Sequence, residues 1–184
     1  ILTFLEIFRN KGMVGDKRIL TNESVKEMIS PHVEIEQGKY YGYGLRIVPD
    51  YFGSTLINHG GGLKGVSSLM CVIPEKGVSG VILTNLSGVP AGDILLGALN
   101  ILEDRNPDAS HIHYADYDLP VKELEKFIGT YKSGEGMEVS FHVEGSNLVL
   151  DSDGIYNPLR CIGDHLFIGT LSNQKDTVQF ITDE

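Results

Sequence analysis

The chain has no tryptophan, only two cysteines, and no apolar run long enough to cross a membrane. Each shortage removes a class of protein. A transmembrane helix needs about 20 consecutive apolar residues, so no membrane span is expected. Cys71 and Cys161 stand alone, without a CxxC or paired Cys/His spacing, which excludes a disulfide framework and a zinc site. Basic residues are also scarce: 15 Lys and Arg against 25 Asp and Glu. The shortfall is confined to one part of the chain. Residues 1–102 carry 9 basic and 9 acidic side chains, whereas 103–184 carry 6 and 16, so the whole net charge of −10 lies in the second part. An acidic surface repels phosphate, so neither nucleic acid nor an anionic membrane is an expected partner. Residues 1–8 are apolar but lack a basic leader and a small-residue cleavage site, so they do not read as a signal peptide. A start without Met, inside an apolar helical run, reads as a cut or processed end and leaves the compartment open.

What is present is enough for a core: 184 residues, of which 41% are hydrophobic. Apolar residues at 1, 2, 4, 5 and 8 have helical spacing, and Gly12 and Gly15 end that run. Thr21 is placed as an N-cap for a short second helix with Val25, Met28 and Ile29 on its apolar side, closed by Pro31. From residue 40 the period changes to two. Segments 41–48, 55–59, 66–73 and 78–83 read as strands, with 49–53 as a turn, and their short separations favour antiparallel hairpins. Residues 90–102 return to helical spacing through Ile94, Leu95, Ala98, Leu99 and Leu102. The expectation is an α+β layer, an antiparallel sheet with covering helices, over 1–104. Residues 105–118 are polar and read as a linker. Residues 119–184 begin with a short helix over 120–127 and continue as four or five alternating runs, at 138–143, 147–151, 158–162, 165–169 and 177–181. Turn-forming separators at 144–146, 152–154 and 162–164 make this a small all-β domain.

Several motifs invite chemistry and fail on context. Gly60, Gly62 and Gly65 match a dinucleotide fingerprint, but a strand follows where a helix must hold the pyrophosphate. His111 and His113, near Asp116 and Asp118, read as a solvated linker and not as a metal site. Asn22-Glu23-Ser24 and Asn85-Leu86-Ser87 are sequons by pattern only. The sole S-x-x-K match, Ser172-Asn173-Gln174-Lys175, lies in polar text between strand-like runs and reads as a hairpin turn. Cys71 sits within an apolar strand pattern and is expected to be an inert buried thiol.

His59-Gly60-Gly61-Gly62 is different. It places an ionisable side chain at a strand end beside backbone with no side-chain bulk. Glycine in a strand costs stability and often marks close approach of a ligand or another backbone. Uncovered N–H groups there suit a carbonyl oxygen that gains charge during a reaction.

The text Ile19-Leu20-Thr21-Asn22-Glu23-Ser24-Val25-Lys26-Glu27-Met28, then Tyr41-Gly42-Tyr43-Gly44-Leu45, His59-Gly60-Gly61-Gly62, Gly65-Val66-Ser67-Ser68, Pro74 and Val81-Ile82-Leu83-Thr84-Asn85 resembles the serine β-lactamase and penicillin-binding-protein superfamily, in its class C β-lactamase-like peptidases and esterases. The run Phe127-Ile128-Gly129-Thr130-Tyr131 and the strands after it resemble the lipocalin-like β domain that follows the catalytic domain in some of these enzymes. The resemblance implies that His59-Gly60-Gly61 is the third catalytic motif in its H-x-G form. His59 orients substrate or assists proton transfer, the N–H of Gly62 is an oxyanion donor, and Gly60 and Gly61 bind substrate. It also implies an upstream S-x-x-K and a Y-x-N or S-x-N. Neither form of the second motif occurs in these 184 residues, and the only S-x-x-K is misplaced.

The expected function is therefore one wall of a serine hydrolase site for small peptide, ester or β-lactam-like substrates. Its nucleophile comes from a missing N-terminal part of the same enzyme, and no metal or organic cofactor is needed. By itself the segment is expected to be inactive, and pairing into a homo-oligomer is one way to cover exposed sheet edges. The contrasting expectation is a non-catalytic module that binds a ligand or partner.

Overall fold

The computed structural model describes residues 1–171 and 174–181, and the chain divides into two units, Ile1–Ile112 and His113–Glu184. In the first unit, helix α1 (Leu2–Arg9) buries Leu5 and Phe8. A minimal hairpin follows, β1 (Met13–Val14) with β2 (Lys17–Arg18). Helix α2 (Asn22–Met28) starts as the sequence leads one to expect, the Thr21 hydroxyl accepting the Ser24 N–H at 3.0 Å. Six strands come next: β3 (Val33–Glu36), β4 (Lys39–Tyr41), β5 (Arg46–Tyr51), β6 (Ser54–Leu63), β7 (Val66–Ile73) and β8 (Val78–Thr84). Every pairing is antiparallel, and spatial order equals chain order. Helix α3 (Ala91–Leu102) closes the unit.

Successive strand residues point to opposite faces, and both faces of this sheet are covered. Ile47, Ile57 and Val72 pack with Leu5, Phe8 and Val25 on the side of α1 and α2. Their neighbours Val48, Leu56, Cys71 and Ile73 pack with Leu95 and Leu99 of α3 on the other. Double burial explains why 69–73 reads as one unbroken apolar run instead of an alternating one.

The structure departs from the expected strands in identifiable places. The stretch read as one strand over 41–48 breaks after Tyr41 and resumes at Arg46. Gly44 takes a φ of 71° there, and a Cβ on Gly42 would stand 2.5 Å from the Met28 carbonyl oxygen. Only a residue without a side chain lets the chain pass that close to α2. Pro49 lies inside β5, and the turn after it is Phe52-Gly53, both with positive φ, a type I′-like hairpin loop. Strand β3 escaped the sequence reading because its apolar members, Val33 and Ile35, are exposed.

After α3 the chain is fastened and does not trail as a solvated linker. The buried Asn100 accepts from the Tyr51 hydroxyl at 3.1 Å and from Arg105 Nε at 3.2 Å, and its amide donates to the carbonyls of Pro107 and Ala109 at 3.2 and 2.9 Å. Burial pushes the Tyr51 hydroxyl pKa up, against the opposing charge of Arg105, which keeps it a donor. His111 stacks against Tyr51 and Phe52, with ring centroids at 4.9 and 6.1 Å.

The second unit opens with a short helix, α4 (Val121–Leu124), that runs into a 3-10 turn over Glu125–Phe127. Six strands follow: β9 (Gly129–Lys132), β10 (Glu138–Glu144), β11 (Asn147–Ser152), β12 (Ile155–Gly163), β13 (Leu166–Leu171) and β14 (Gln174–Gln179). They again pair antiparallel in chain order. Strands β9 and β14 are opposite edges, which in a flat sheet lie about 24 Å apart at roughly 4.8 Å per strand. Yet the Tyr131 ring on β9 and the Phe180 ring just past β14 have centroids 5.5 Å apart. The sheet therefore curls into a half-barrel around Phe127, Phe141, Leu148, Leu150, Leu159 and Phe167. Ser172 and Asn173, the heart of the misplaced S-x-x-K, lie outside the described residues.

Candidate functional site

Strand β6 is ten residues long and β5 only six. Their pairing runs from Tyr51↔Ser54 to Arg46↔Asn58 and stops, because the chain leaves the sheet at the 42–45 turn. On its other side β6 stays paired with β7 as far as Leu63↔Val66. Residues 59–63 thus have a partner on one side only, and among the described residues no strand pairs with the other. The mismatch in strand length turns the interior of a sheet into a local edge.

The direction of the backbone groups on that edge follows from β7. The Ser67 N–H and carbonyl both engage Thr84 Oγ1 of β8, at 3.3 and 3.0 Å. Ser67 therefore does not exchange bonds with Gly62, its partner on β6, so the Gly62 N–H and carbonyl point away from β7. Alternation makes Gly60 point the same way. Gly61 points inward, its carbonyl accepting the Ser68 hydroxyl at 3.1 Å. A Cβ on Gly62 would meet nothing closer than 3.9 Å, whereas one on Gly61 would stand 2.9 Å from Ser68 Oγ. Of the residues singled out in the sequence, Gly60 and Gly62 present their polar groups to the open edge and Gly61 does not.

His59 heads this edge and is half-buried. Its Nδ1 lies 2.7 Å from the Gly60 carbonyl oxygen, which can only accept, so Nδ1 donates. Its Nε2 lies 2.7 Å from the hydroxyl of Tyr41, the last residue of β4. In the sequence Tyr41 reads as a strand residue and as part of the Tyr41-Gly42-Tyr43-Gly44-Leu45 text, with no role for its hydroxyl. The one signal for it in the sequence is its position immediately before the glycine-flanked break. Beside the edge is a cleft of 390 Å³, lined by His59, Gly60, Gly61 and Ser68 and walled by the apolar side chains of Phe4, Met70, Val81 and Leu83 among others.

This arrangement can hold an extended ligand as an additional strand, direct two N–H groups at its carbonyl oxygens, and place an imidazole alongside. Among the described residues, no group of three or more His, Cys, Asp or Glu could hold a metal ion, and no helix is long and apolar enough to cross a membrane. Cys71 is fully buried, and burial pushes its thiol up to about 11. Cys161 is half-buried, its Sγ donating to the Gly163 carbonyl at 3.3 Å.

No family profile matches the chain, and no curated protein matches it in sequence. Solved structures do. The octameric penicillin-binding protein homologue from Pyrococcus abyssi aligns with a TM-score of 0.53 and 24% identity over 98% of this chain and 42% of its own. A structure of SurE with D-Leu aligns with a TM-score of 0.58 and 16% identity over 96% of this chain and 43% of its own. A second SurE structure gives 0.53 and 19% over 82% of this chain and 35% of its own. The shared property is the fold, and the chain spans less than half the length of each of these proteins.

Proposed function

We propose that this chain forms one wall of the active site of a penicillin-binding-protein-like serine hydrolase, which transfers acyl groups from amide or ester bonds. The observation that carries the reading is the one-sided segment 59–63 of β6, headed by His59, with the N–H groups of Gly60 and Gly62 facing open space. The fold shared with a penicillin-binding protein homologue supports it. The half-barrel of the second unit is consistent with a lipocalin-like domain. That SurE was crystallised with D-Leu favours a D-amino-acid residue in the substrate.

In this reading the substrate lies antiparallel to β6, its scissile carbonyl oxygen on the Gly62 N–H. A serine supplied from outside these 184 residues attacks the carbonyl carbon. The C–O or C–N bond breaks, the leaving group takes up a proton, and water later hydrolyses the acyl-serine. The Gly62 N–H stabilises the oxyanion that forms in each half, and His59 orients the substrate or assists proton transfer. The exposed apolar side chains of Ile1, Phe4 and Leu83 beside the cleft offer a seat for the serine-bearing segment. The octameric state of the Pyrococcus abyssi protein makes a homo-oligomer the form to look for first.

A fluorophosphonate or fluorescent penicillin tests this. The parent enzyme should acquire a covalent label, and the 184-residue chain alone should not. An adduct on any serine of this chain would overturn the assignment. In the parent, His59→Ala should lower turnover far more than it lowers stability. Equal losses would return His59 to a purely structural role.

A further inference from the structure

We propose that Tyr41 is a positioning residue for His59, and that together they decide which ligand atoms the open edge of β6 accepts. The inference rests on reading that edge as a substrate site. With Nδ1 donating to the Gly60 carbonyl, the neutral imidazole carries its lone pair on Nε2, and the Tyr41 hydroxyl donates to it. Both ring nitrogens are engaged at 2.7 Å, so a ring flip would set C–H groups against both partners. The tautomer held is not the one free imidazole prefers in water, and it persists only because two neutral groups define it.

The second consequence concerns Gly60. It is one of the two residues whose carbonyl faces the open edge, and His59 already donates to that oxygen. An incoming strand therefore meets two N–H donors, on Gly60 and Gly62, and two carbonyls, of which that of Gly60 already accepts one of its two possible hydrogen bonds. At an ordinary sheet edge both carbonyls are unengaged. This edge selects ligands rich in acceptors: an extended acyl compound with an ester oxygen, or a nitrogen lacking hydrogen, opposite the Gly60 carbonyl. Release of His59 from Tyr41 frees the imidazole to turn away and returns the Gly60 carbonyl to its full acceptor capacity.

Two measurements on the 184-residue chain test the proposal. The first is the ring ¹⁵N shifts of His59 in alkaline buffer. The wild-type ring should show a protonated Nδ1 and an unprotonated Nε2, and Tyr41→Phe should move the ring toward protonated Nε2 while the dispersed amide spectrum of the first unit persists. A protonated Nε2 in the wild type, or no change in Tyr41→Phe, overturns the positioning role. The second compares N-acetyl-D-alanyl-D-alanyl-D-alanine with the depsipeptide whose third residue is D-lactate: with the first alanyl carbonyl on the Gly62 N–H, the N–H exchanged for an ester oxygen is the one opposite the Gly60 carbonyl. The wild type should favour the ester, and Tyr41→Phe should shift the ratio toward the amide by roughly fivefold, the worth of one ordinary hydrogen bond. Equal affinities or an amide preference in the wild type, or an unshifted ratio in the variant, refutes the occupied acceptor. If neither compound shifts the Gly60 and Gly62 amides, the substrate-site reading fails and the selectivity claim with it, whereas the ring-nitrogen result stands separately.

Discussion

The two units are built on the same connection rule, six antiparallel strands in chain order, and use it differently. The first unit's sheet is sandwiched between helices, and its central strands β6 and β7 are apolar on both faces. The second unit's sheet has one short helix and buries a single concave face on an aromatic core. In the second unit the pairing of β11 with β10 covers Asn147 to Asp151, and its pairing with β12 covers Leu148 to Ser152, so no long stretch of that strand lacks a neighbour. In the first unit β6 outruns β5 by the length of the glycine segment. A site has room to form where strand lengths disagree.

Four changes break or sharpen this comparison, from the largest expected effect to the smallest. Phe167 is 0% exposed at the centre of the half-barrel. Its replacement by Ala should cost about 3–5 kcal/mol, read by urea titration of amide signals from the second unit; a cost below 1 kcal/mol would show that the curled sheet does not depend on its aromatic core. In the first unit the corresponding weak point is polar. Asn100→Ala removes four hydrogen bonds from a buried site and leaves their partners unsatisfied, so a loss of about 2–4 kcal/mol is expected in guanidinium titration.

The third change is pH. The folded protein keeps the Cys71 thiol protonated up to about 11, while the unfolded chain releases that proton near 9.0. Between those values the native state binds more protons, so stability falls as pH rises. The contribution is complete below pH 9.0 and lost on the way to about 11, at most roughly 2–3 kcal/mol. Cys71→Ala should flatten that part of the stability profile. In the native protein at pH 8, a thiol reagent should modify Cys161 and spare Cys71.

The fourth change contrasts two glycines. Gly42→Ala drives a methyl group into the Met28 and Ser30 carbonyl oxygens and should destabilise by about 1–3 kcal/mol. Gly62→Ala points a methyl group into open space and should lie within about 0.5 kcal/mol of wild type in thermal denaturation. A large stability loss at Gly62 would mean that the edge is packed and not available to a ligand.

Much of the architecture was legible in the chain because periodicity is a local property. Helical spacing located α1 and α3, the Thr21 cap located α2, and the run 66–73 matches β7 residue for residue. In the second unit, Asp153 and Gly154 with positive φ form the turn that Ser152-Asp153-Gly154 advertises. The misses share a cause. Strand β3 carries its apolar side chains on an exposed surface, and 41–48 breaks only because α2 passes within contact distance of Gly42. Asn100 looks like one polar residue in an apolar helix until four partners from other segments converge on it.

The candidate site divides along the same line. Residue types and order alone established an imidazole followed by three glycines, set between apolar strand patterns in a chain with no neighbouring nucleophile motif. Tertiary structure decided that β5 stops at the partner of Asn58, that Gly60 and Gly62 face the gap while Gly61 does not, and that Tyr41, 18 residues away, fixes the imidazole. The reason is physical. Backbone propensity and hydrophobic period are encoded within a few residues, whereas a missing neighbour and a hydrogen bond across strands exist only once distant segments have been brought to one place.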